Sequence, residues 1–391
     1  MNGAAPPTRV AVIGANGHGR WHRRVIAPLH ADGRLRLVAL VDVNPVEDEP
    51  AAPVPPEVAV FTDHRVMLAA ARPEIVVICT PPHTHLPIAR DALAAGADLL
   101  LEKPPVLSTA EHEELTGALA TAGRVAQVGF QALGSAALTA LTDALAAGRL
   151  GTVTGIATVA AWQRPDAYYA RSPWAGRRTL HGHPVLDGAL ANPLAHAVMQ
   201  CLAVAEALGG APPWPVAIEV ERYRVRPIEV EDTAVLRIRF RAGPPVLAAV
   251  TLASEEFVAG EVVVTGTAGR AVLEYPTDRL RLPGDVVTRR VPGRRGLLEN
   301  LLAHRADPAG VPLIAPLART APFTALLDAL RAAPEPRLLD GEVVDAVGDG
   351  DERVLRIRGV VEVLRRAAEQ DALPSEQGVP WAVPAYRAGL S

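Results

Sequence analysis

Short apolar runs alternate with segments of helical periodicity along the first third of the chain. Apolar runs bounded by turn signals are typical of strands buried in a parallel sheet, and apolar residues at helical spacing indicate the helices that cover it. The predicted strands are 9–13, 35–41, 75–79, 98–101 and 125–129, and the predicted helices are 19–30, 110–121 and the segment with Ile88, Ala89, Ala92 and Leu93. This alternation predicts an α/β domain with a doubly wound parallel sheet over residues 1–130.

Longer runs of alternating apolar and polar residues follow Gly148-Arg-Leu-Gly151. Alternation with a period of two is typical of an antiparallel sheet with one face in water, and Val235-Leu-Arg-Ile-Arg-Phe-Arg241 shows it most clearly. The predicted strands are 153–162, 217–225, 234–241, 246–252, 261–265 and 271–275, and the predicted helices are 194–208, 320–332 and about 353–370. Residues 131–391 are therefore predicted to form an α+β domain with a large, mostly antiparallel open sheet. The final helix packs either there or back on the first domain.

Composition narrows the classes of protein to which this chain can belong. The 391 residues suffice for two domains, and 49% of them are hydrophobic. The net charge is -4 and arginines are spread among acidic residues, so nucleic acid is not an expected partner. Cys79 and Cys201 are the only cysteines, which excludes a disulfide framework and a cysteine-rich metal site. The sequence shows neither an export signal nor an apolar stretch of about 18 residues, so we expect a cytoplasmic protein without membrane association.

A glycine-rich turn joins the first predicted strand to the first predicted helix. Its sequence is Gly14-Ala-Asn16-Gly17-His18-Gly19. A dinucleotide-binding turn has glycines at its first, third and sixth positions, for the tight bend, the approach of the pyrophosphate and the packing of the helix. Gly14 and Gly19 fit, and Asn16, at the third position, belongs to a residue type that tolerates left-handed backbone. The turn therefore indicates dinucleotide binding, and an ordinary glycine-rich turn is the alternative.

Asp42 ends the second predicted strand. A carboxylate there is placed to accept hydrogen bonds from the ribose hydroxyls of the adenosine half of a dinucleotide. Val43 and Asn44 follow, and no arginine stands beside them to receive a 2′-phosphate. This favours NAD over NADP, and a strand-end aspartate that only stabilises a turn is the alternative.

Residues 80–85, Thr-Pro-Pro-His-Thr-His, follow the third predicted strand. Ligands of open α/β sheets gather at the carboxyl ends of the strands, so this segment is expected at the ligand edge. His83 and His85 suggest a metal, but no acidic residue lies close to them in the sequence, and we predict no metal site.

Lys103 is the only lysine among 39 Lys and Arg residues. It lies in Glu102-Lys103-Pro104, directly after the fourth predicted strand. An ammonium group can lose its proton when it is desolvated, whereas a guanidinium group effectively cannot. We therefore interpret Lys103 as a functional amine, with chance survival at a surface site as the alternative.

These features, in this order, resemble the Gfo/Idh/MocA family, which is named after glucose–fructose oxidoreductase, inositol dehydrogenase and rhizopine-catabolism proteins. The resemblance covers most of the chain, and Glu-Lys-Pro combined with the cofactor turn is its most specific part. The matching segments are the glycine-rich turn, Asp42, the Thr-Pro-x-x-x-His stretch ending at His85, Glu102-Lys103-Pro104, Gly148-Arg-Leu-Gly151, Trp174-Ala-Gly176 and Gly188-Ala-Leu-Ala-Asn192-Pro-Leu-Ala-His196.

The resemblance implies an NAD-binding Rossmann domain and a second domain for substrate and subunit contacts, the latter through the open face of its sheet. It implies hydride transfer between nicotinamide and a sugar, cyclitol or related polyhydroxylated alcohol or ketone, and a homodimer or homotetramer. Lys103 would lie beside the nicotinamide, His196 would be the general acid/base, and Asn192 would assist it. The implied cofactor-binding residues are Gly14, Asn16, Gly17, His18, Gly19, Asp42, Thr80, Pro81, His85, Glu102, Lys103, Gln131 and Trp174.

Two segments depart from the family pattern. The residue four before the histidine is usually Asp and here is Asn192, whose amide can orient a hydroxyl group but cannot carry its proton. Gln131-Ala-Leu-Gly134 replaces a Tyr-Arg segment. Asn192 has a second interpretation as a helix cap, because Asn followed by Pro193 is a favourable helix start. His196 would then lie in the first turns, where the helix dipole favours neutral imidazole; a buried structural histidine is the alternative.

The residues and the resemblance together predict an NAD-dependent oxidoreductase with a small-molecule substrate. Glycoside cleavage with a recycled NAD is one alternative, and a catalytically silent NAD-binding sensor is another.

Overall fold

The computed structural model describes residues 6–390, so the first residues, on which the expectation about an export signal partly rests, lie outside it. The strands are β1 Thr8–Ile13, β2 Leu35–Val41, β3 Ala59–Phe61, β4 Ile75–Ile78, β5 Asp98–Leu101, β6 Ala126–Val128, β7 Val153–Gln163, β8 Thr179–Leu180, β9 His183–Pro184, β10 Pro215–Arg224, β11 Thr233–Phe240, β12 Val246–Thr251, β13 Ala253–Gly266, β14 Gly269–Glu274, β15 Arg279–Arg281, β16 Arg289–Arg290, β17 Arg337–Leu338, β18 Val344–Val347, β19 Val354–Ile357 and β20 Tyr386–Gly389. The helices are α1 Gly19–Ala31, α2 His64–Ala71, α3 His85–Ala94, α4 Thr109–Ala122, α5 Ala136–Ala146, α6 Asp166–Ala170, α7 Ala195–Gly209, α8 Leu297–Ala306, α9 Ala321–Ala332 and α10 Val360–Gln370.

The first of two compact units contains the described residues up to Gly129 together with Gly296–Ala318. Its sheet has six parallel strands in the order β3-β2-β1-β4-β5-β6. The predicted doubly wound parallel sheet is therefore confirmed. The direction of winding reverses between β1 and β4, and the crevice at the carboxyl ends of the strands at such a point is where open α/β sheets bind ligands.

The segment Gly296–Ala318 is predicted in the second domain, but the compact unit that contains it is the first. It runs beside β6, where the Val128 N–H donates to the Ala315 carbonyl over 2.8 Å. The buried Gln127 side chain donates to Asn300 Oδ1 over 2.6 Å and accepts from the Ala315 N–H. Buried amide contacts therefore help to hold this segment beside β6, together with buried apolar side chains such as Leu298 and Leu301, and amide pairing leaves no periodicity in a sequence.

The second unit contains Phe130–Arg295 and the described residues from Arg319 onward. Its main sheet has the order β16-β15-β14-β13-β7-β12-β11-β10-β17, with β20 also paired to β10. The β7–β12 and β10–β17 pairs are parallel and the other pairs are antiparallel, so the predicted mostly antiparallel sheet is confirmed. Strand β13 is much longer than predicted, because its register on β7 shifts three times and the polar residues of its first half break the alternation.

The prediction that one face of this sheet is in water is wrong for its middle strands. Arg237, one of the polar positions in the alternating run, is only 4% exposed. Its guanidinium donates to Glu219 over 3.0 Å and to Glu376 over 2.5 Å. The hydrogen bonds that Arg237 donates to Glu376 and Glu219 raise the pKa of Arg237, although burial opposes them. Arg237 alternates with apolar residues but is buried. Its burial is possible because its charge is paired with carboxylates.

The C-terminal segment covers that face. Residues 353–370, predicted as one helix, instead form strand β19 and helix α10, separated by Gly359 with a φ of +67°. Helix α10 contacts β7, β12 and β13 of its own unit. The shared apolar cluster contains Ala157, Val159, Ala161, Val235, Leu247 and Ala249 from the strands, and Val360, Val361, Leu364 and Ala367 from α10. Helix α7 contacts the same strands, and both faces are buried along residues 156–161 of β7.

Among residues 6–390, no helix is both long and apolar enough to cross a membrane.

Candidate functional site

The glycine-rich turn after β1 is packed too tightly for side chains at its two ends. Gly14 has a φ of +80°, and a Cβ there would lie 2.8 Å from the Cys79 carbonyl oxygen. A Cβ on Gly19 would lie 1.8 Å from the Gly14 carbonyl oxygen. Gly17 also has a positive φ, of +54°, whereas Asn16 does not, so the left-handed residue is Gly17. The turn therefore has the close backbone approach that a dinucleotide-binding turn requires.

Asn16 and Asp42 connect the turn to the loop that follows β2. The Asn16 N–H donates to Asp42 Oδ2 and the Asn44 N–H donates to Asp42 Oδ1, each over 3.0 Å. The Asn16 side chain donates to the Pro45 carbonyl and accepts from the Glu47 N–H. Asn16 thus acts through its side chain rather than through left-handed backbone. Asp42, half-buried at the end of β2, keeps the position predicted for contact with a ribose.

The three arginines of α1 all contact the loop that follows β2. Arg20 pairs with Glu47, and Arg24 pairs with Glu49. Arg23 is buried and donates to the carbonyl oxygens of Glu47 and Ala52, each over 2.8 Å. None of these three arginines is therefore available to receive a 2′-phosphate, which supports the preference for NAD.

Glu102 ends β5 and holds two segments of the first unit together. Its Oε1 lies 2.8 Å from His22 Nε2 and 3.4 Å from His18 Nε2, and its Oε2 accepts from the Lys103 N–H over 3.1 Å. Burial by itself raises the pKa of the Glu102 carboxyl, but the hydrogen bonds from His18 and His22 outweigh it, and the net pKa lies well below its usual range. Glu102 is therefore an ionised support for the turn and for Lys103.

His85 supports the other side of Lys103. Its ring is 1% exposed, with Nδ1 at 3.0 Å from the Pro104 carbonyl and Nε2 at 2.8 Å from the Thr80 carbonyl. Burial lowers the pKa of His85. A ring enclosed in this way ties Thr80 and Pro81 to the Lys103 loop from behind, so the structure gives His85 a supporting position rather than an exposed one. Lys103 itself is half-buried between buried neighbours.

A second cluster lies in the second unit and centres on Asp187. The Asp187 carboxylate is buried; it accepts from Arg171 over 2.7 Å, from the Gly176 N–H over 2.9 Å and from Asn192 Nδ2 over 2.9 Å. The Arg171 guanidinium lies 4.8 Å from the ring centre of Trp174. Asp187 thus joins the Trp-x-Gly segment to the segment that carries Asn192. Nothing in the spacing of the sequence signals these contacts of Asp187, so the sequence alone does not identify it as part of a site.

Asn192 does not cap the following helix, and that interpretation is wrong. Helix α7 begins at Ala195 with Leu194 at the capping position and no side-chain cap. The Asn192 amide is turned to Asp187 instead. Because Asn192 lies outside the helix, it is also not one helical step from His196. The capping prediction failed because α7 begins two residues later than the Asn-Pro sequence suggests, so Leu194 and not Asn192 occupies the capping position.

His196 lies in the first turn of α7, half-buried and 5.8 Å from Phe130 with the two rings perpendicular. Further along α7, Gln200 donates to the Ala132 carbonyl over 2.6 Å. These contacts bring the short 3₁₀ turn Gln131–Gly134 beside α7, and the Gln131 carbonyl accepts from Arg294. Within the second unit, the structure therefore groups Gln131 with His196, and Trp174 with Asn192.

We predict that Asp187 and Asn192 are energetically coupled. The variant Asn192→Asp would place two carboxylates about 2.9 Å apart, and it should lower the free energy of unfolding by about 2 kcal/mol through lost hydrogen bonding to a charged group and through repulsion. Adding Asp187→Asn to it restores an amide–carboxylate pair. Chemical denaturation of the two single variants, the double variant and the parent measures the coupling. Strictly additive effects of the two substitutions on the free energy of unfolding would show that the contact between Asp187 and Asn192 does not contribute to stability.

The geometry of the first unit defines a class of protein. A tight glycine turn at the switch point of a parallel sheet, with a carboxylate at the end of the next strand, is the arrangement of a dinucleotide-binding Rossmann domain. A family model described as an oxidoreductase family with an NAD-binding Rossmann fold matches residues 8–130. Residues 8–130 thus match the Gfo/Idh/MocA family model, as the motifs of this segment predict.

Similar proteins are dehydrogenases by name. D-glucoside 3-dehydrogenase of Escherichia coli (strain K12) is 30% identical over 125 residues, which are 32% of this chain and 35% of that protein. Inositol 2-dehydrogenase of Burkholderia multivorans (strain ATCC 17616 / 249) is 29% identical over 146 residues, which are 37% of this chain and 42% of that protein. The matched part thus spans about two fifths or less of the length of these relatives.

The fold likeness extends further than the sequence likeness. The crystal structure of the WlbA dehydrogenase from Bordetella pertussis, in complex with NADH and UDP-GlcNAcA, matches with a TM-score of 0.67 and 22% identity. The match covers 85% of this chain and 100% of that chain. The shared fold therefore continues beyond the Rossmann unit.

Proposed function

We propose that the chain is an NAD-dependent oxidoreductase that transfers hydride between nicotinamide and a sugar, cyclitol or related polyhydroxylated alcohol or ketone. The observation that carries the proposal is the placement of Lys103. It follows β5 at the ligand edge of the first sheet, and its backbone is held on one side by Glu102 and on the other by the contact of His85 with Pro104. An amine fixed beside a dinucleotide crevice is suited to share a proton with a substrate oxygen while hydride leaves the same carbon.

NAD fits the residues of the first unit. The pyrophosphate would lie on the backbone of the Gly14–Gly19 turn at the N-terminus of α1, where backbone N–H groups and the helix dipole favour an anion. Asp42 would accept from the ribose hydroxyls of adenosine. When bound, NAD supplies the hydride acceptor, and the protein supplies position and electrostatics.

His196 is proposed as the general acid/base. A neutral imidazole is the form that accepts a proton, and the positive end of the α7 dipole favours that form in the first turn of the helix. Asn192, oriented by its bond to Asp187, would position a substrate hydroxyl group without carrying its proton. The alcohol proton would pass to His196, with Lys103 stabilising the oxygen as the hydride departs.

The substrate class follows from the relatives rather than from the geometry. Their names, D-glucoside 3-dehydrogenase and inositol 2-dehydrogenase, support a ring that bears several hydroxyl groups. A homo-oligomer is also proposed. The face of the second sheet formed by Val159, Val235 and Ala249 is covered by the chain's own C-terminal segment, so subunit contacts would use a different surface.

The proposal is tested by cofactor choice and by turnover. We expect calorimetry to show NAD⁺ binding roughly tenfold or more tighter than NADP⁺ binding, because a 2′-phosphate would meet the Asp42 carboxylate, and like charges in contact cost several kcal/mol. Asp42→Ala should reduce the difference in affinity between NAD⁺ and NADP⁺. Asp32→Ala, at an exposed residue that follows α1, should not change this difference. With NAD⁺ and a panel of sugars and cyclitols, NADH absorbance should accumulate.

Each contrary result has a defined meaning. Equal or tighter binding of NADP⁺ would show that Asp42 does not discriminate between the two cofactors by a contact with the adenosine ribose. Cleavage of a glycoside without accumulation of NADH would identify the recycled-cofactor reaction. Tight NAD⁺ binding with no turnover on any member of the panel would favour the silent sensor.

A further inference from the structure

Three side chains with metal-binding atoms meet at the start of α1. His18 and His22 are four residues apart, so they lie on the same side of the helix start. Glu102 reaches them from the end of β5, eighty residues further along the chain. The imidazole nitrogens and the carboxylate oxygen all lie within 4.8 Å of one another. The sequence directs attention to His83 and His85 as candidate ligands, but this cluster is formed by other residues.

Two of the three distances between these atoms are close to those of a coordination shell, and the third, between the two imidazoles, is within 4.8 Å. Two ligand atoms that are each about 2.0–2.1 Å from a tetrahedral ion are separated by roughly 3.3 Å. The Glu102 oxygen lies 3.4 Å from His18 Nε2 and 2.8 Å from His22 Nε2. Small side-chain movements would therefore turn the hydrogen-bonded cluster into a set of three ligands.

Burial and support also fit a metal centre. The His22 side chain is 2% exposed and that of Glu102 is 8% exposed, whereas His18 is 56% exposed, so one side of the cluster faces solvent. The second Glu102 oxygen already accepts from the Lys103 N–H. That bond orients the carboxylate from the side opposite the two histidines. In metal sites, residues outside the coordination shell orient the ligands in the same way.

We propose that His18, His22 and Glu102 form a binding site for Zn²⁺ or a similar borderline divalent ion. Two imidazoles and one carboxylate are ligands that such ions prefer, whereas Mg²⁺ and Ca²⁺ prefer oxygen ligands only. Three protein ligands leave a fourth position of a tetrahedral ion open, on the side where His18 faces solvent.

The test is a calorimetric titration of Zn²⁺ into the full chain without an affinity tag. We expect saturable binding of one equivalent by the parent. His18→Gln removes an exposed ligand without disturbing the buried pair, so it should fold and should weaken Zn²⁺ binding by roughly tenfold or more. His22→Gln should weaken it at least as much. His30→Gln is the matched control, because His30 lies on the same helix but contacts Glu57.

The absorption spectrum of bound Co²⁺ reports coordination independently of affinity. The parent and His30→Gln should show the intense visible bands of a tetrahedral ion, and His18→Gln should not. The absence of saturable Zn²⁺ binding, an unchanged affinity in His18→Gln, or binding of Mg²⁺ as tight as that of Zn²⁺ would each overturn the proposal. None of these measurements requires NAD or a substrate, so they are independent of the proposed enzymatic function.

Discussion

Replacing Lys103 by arginine or by methionine should leave the protein folded and reduce turnover by roughly 10²–10⁴-fold, the usual contribution of a positioned proton-transfer group. Arginine keeps the charge, but it is larger, planar and always protonated, so it cannot share a proton with a substrate oxygen. Methionine keeps the approximate length without any charge. Turnover with NAD⁺, measured beside thermal unfolding, separates the loss of chemistry from the loss of structure.

The chain offers a direct control for Lys103. Because no other lysine exists, an amine-selective reagent at a pH that spares the N-terminus reports on Lys103 alone. The variant Arg90→Lys adds a second amine on the exposed face of α3 as an internal standard. In this variant, bound NAD should slow the modification of Lys103 and leave the modification of the introduced amine unchanged. Parent-like turnover by Lys103→Arg would contradict the central role given to this residue.

The first sheet could be predicted well because the signals for its strands and helices lie in residues that are neighbours in the sequence. Strands buried on both faces are continuous apolar runs, and each is followed by a turn and an amphipathic helix. The strand predicted over residues 35–41 has the bounds that the structure shows. The return of Gly296–Ala318 could not be predicted in this way, since Gln127 and Asn300 hold it through amide hydrogen bonds that have no periodicity.

In the second sheet, the alternation of apolar and polar residues does not show which face is exposed to water. Arg237 alternates with Leu236 and Ile238, which is typical of a polar face in water. The structure covers that face with α10 and pairs Arg237 with Glu219 and Glu376. Buried arginine and exposed arginine give the same sequence pattern, and only the partner residues, more than a hundred positions away for Glu376, distinguish them.

The candidate site was predictable as segments but not as contacts. The sequence pattern identifies three candidate residues, because each follows a strand at the carboxyl edge of the sheet. They are Gly14, Asp42 and Lys103. The positions of Asp187 and His22 depend on contacts between distant segments, and no spacing rule signals them. The local sequence of Asn192 favours capping, but where the helix begins is set by the surrounding structure, which places Leu194 at the capping position.

Replacing His196 by asparagine should lower turnover by roughly 10²–10⁴-fold while leaving NAD⁺ affinity and thermal stability close to those of the parent. The physical reason is that the amide keeps a similar size and hydrogen-bonding ability but cannot accept the substrate proton. His196 lies in the first turn of α7, and asparagine is well tolerated near a helix start. Calorimetry with NAD⁺, thermal unfolding and the pH dependence of turnover measure these three properties separately.

The matched control is His181→Asn in the same unit. His181 is exposed and has a φ of +49°, a backbone conformation that asparagine also adopts readily. This variant should keep the turnover and the pH profile of the parent. In His196→Asn, the rise in turnover with pH that accompanies loss of the imidazole proton should disappear, because the group that titrates is gone. If His196→Asn retains both the rate and that rise, the proton is accepted by a different group, and His196 has a packing role against Phe130.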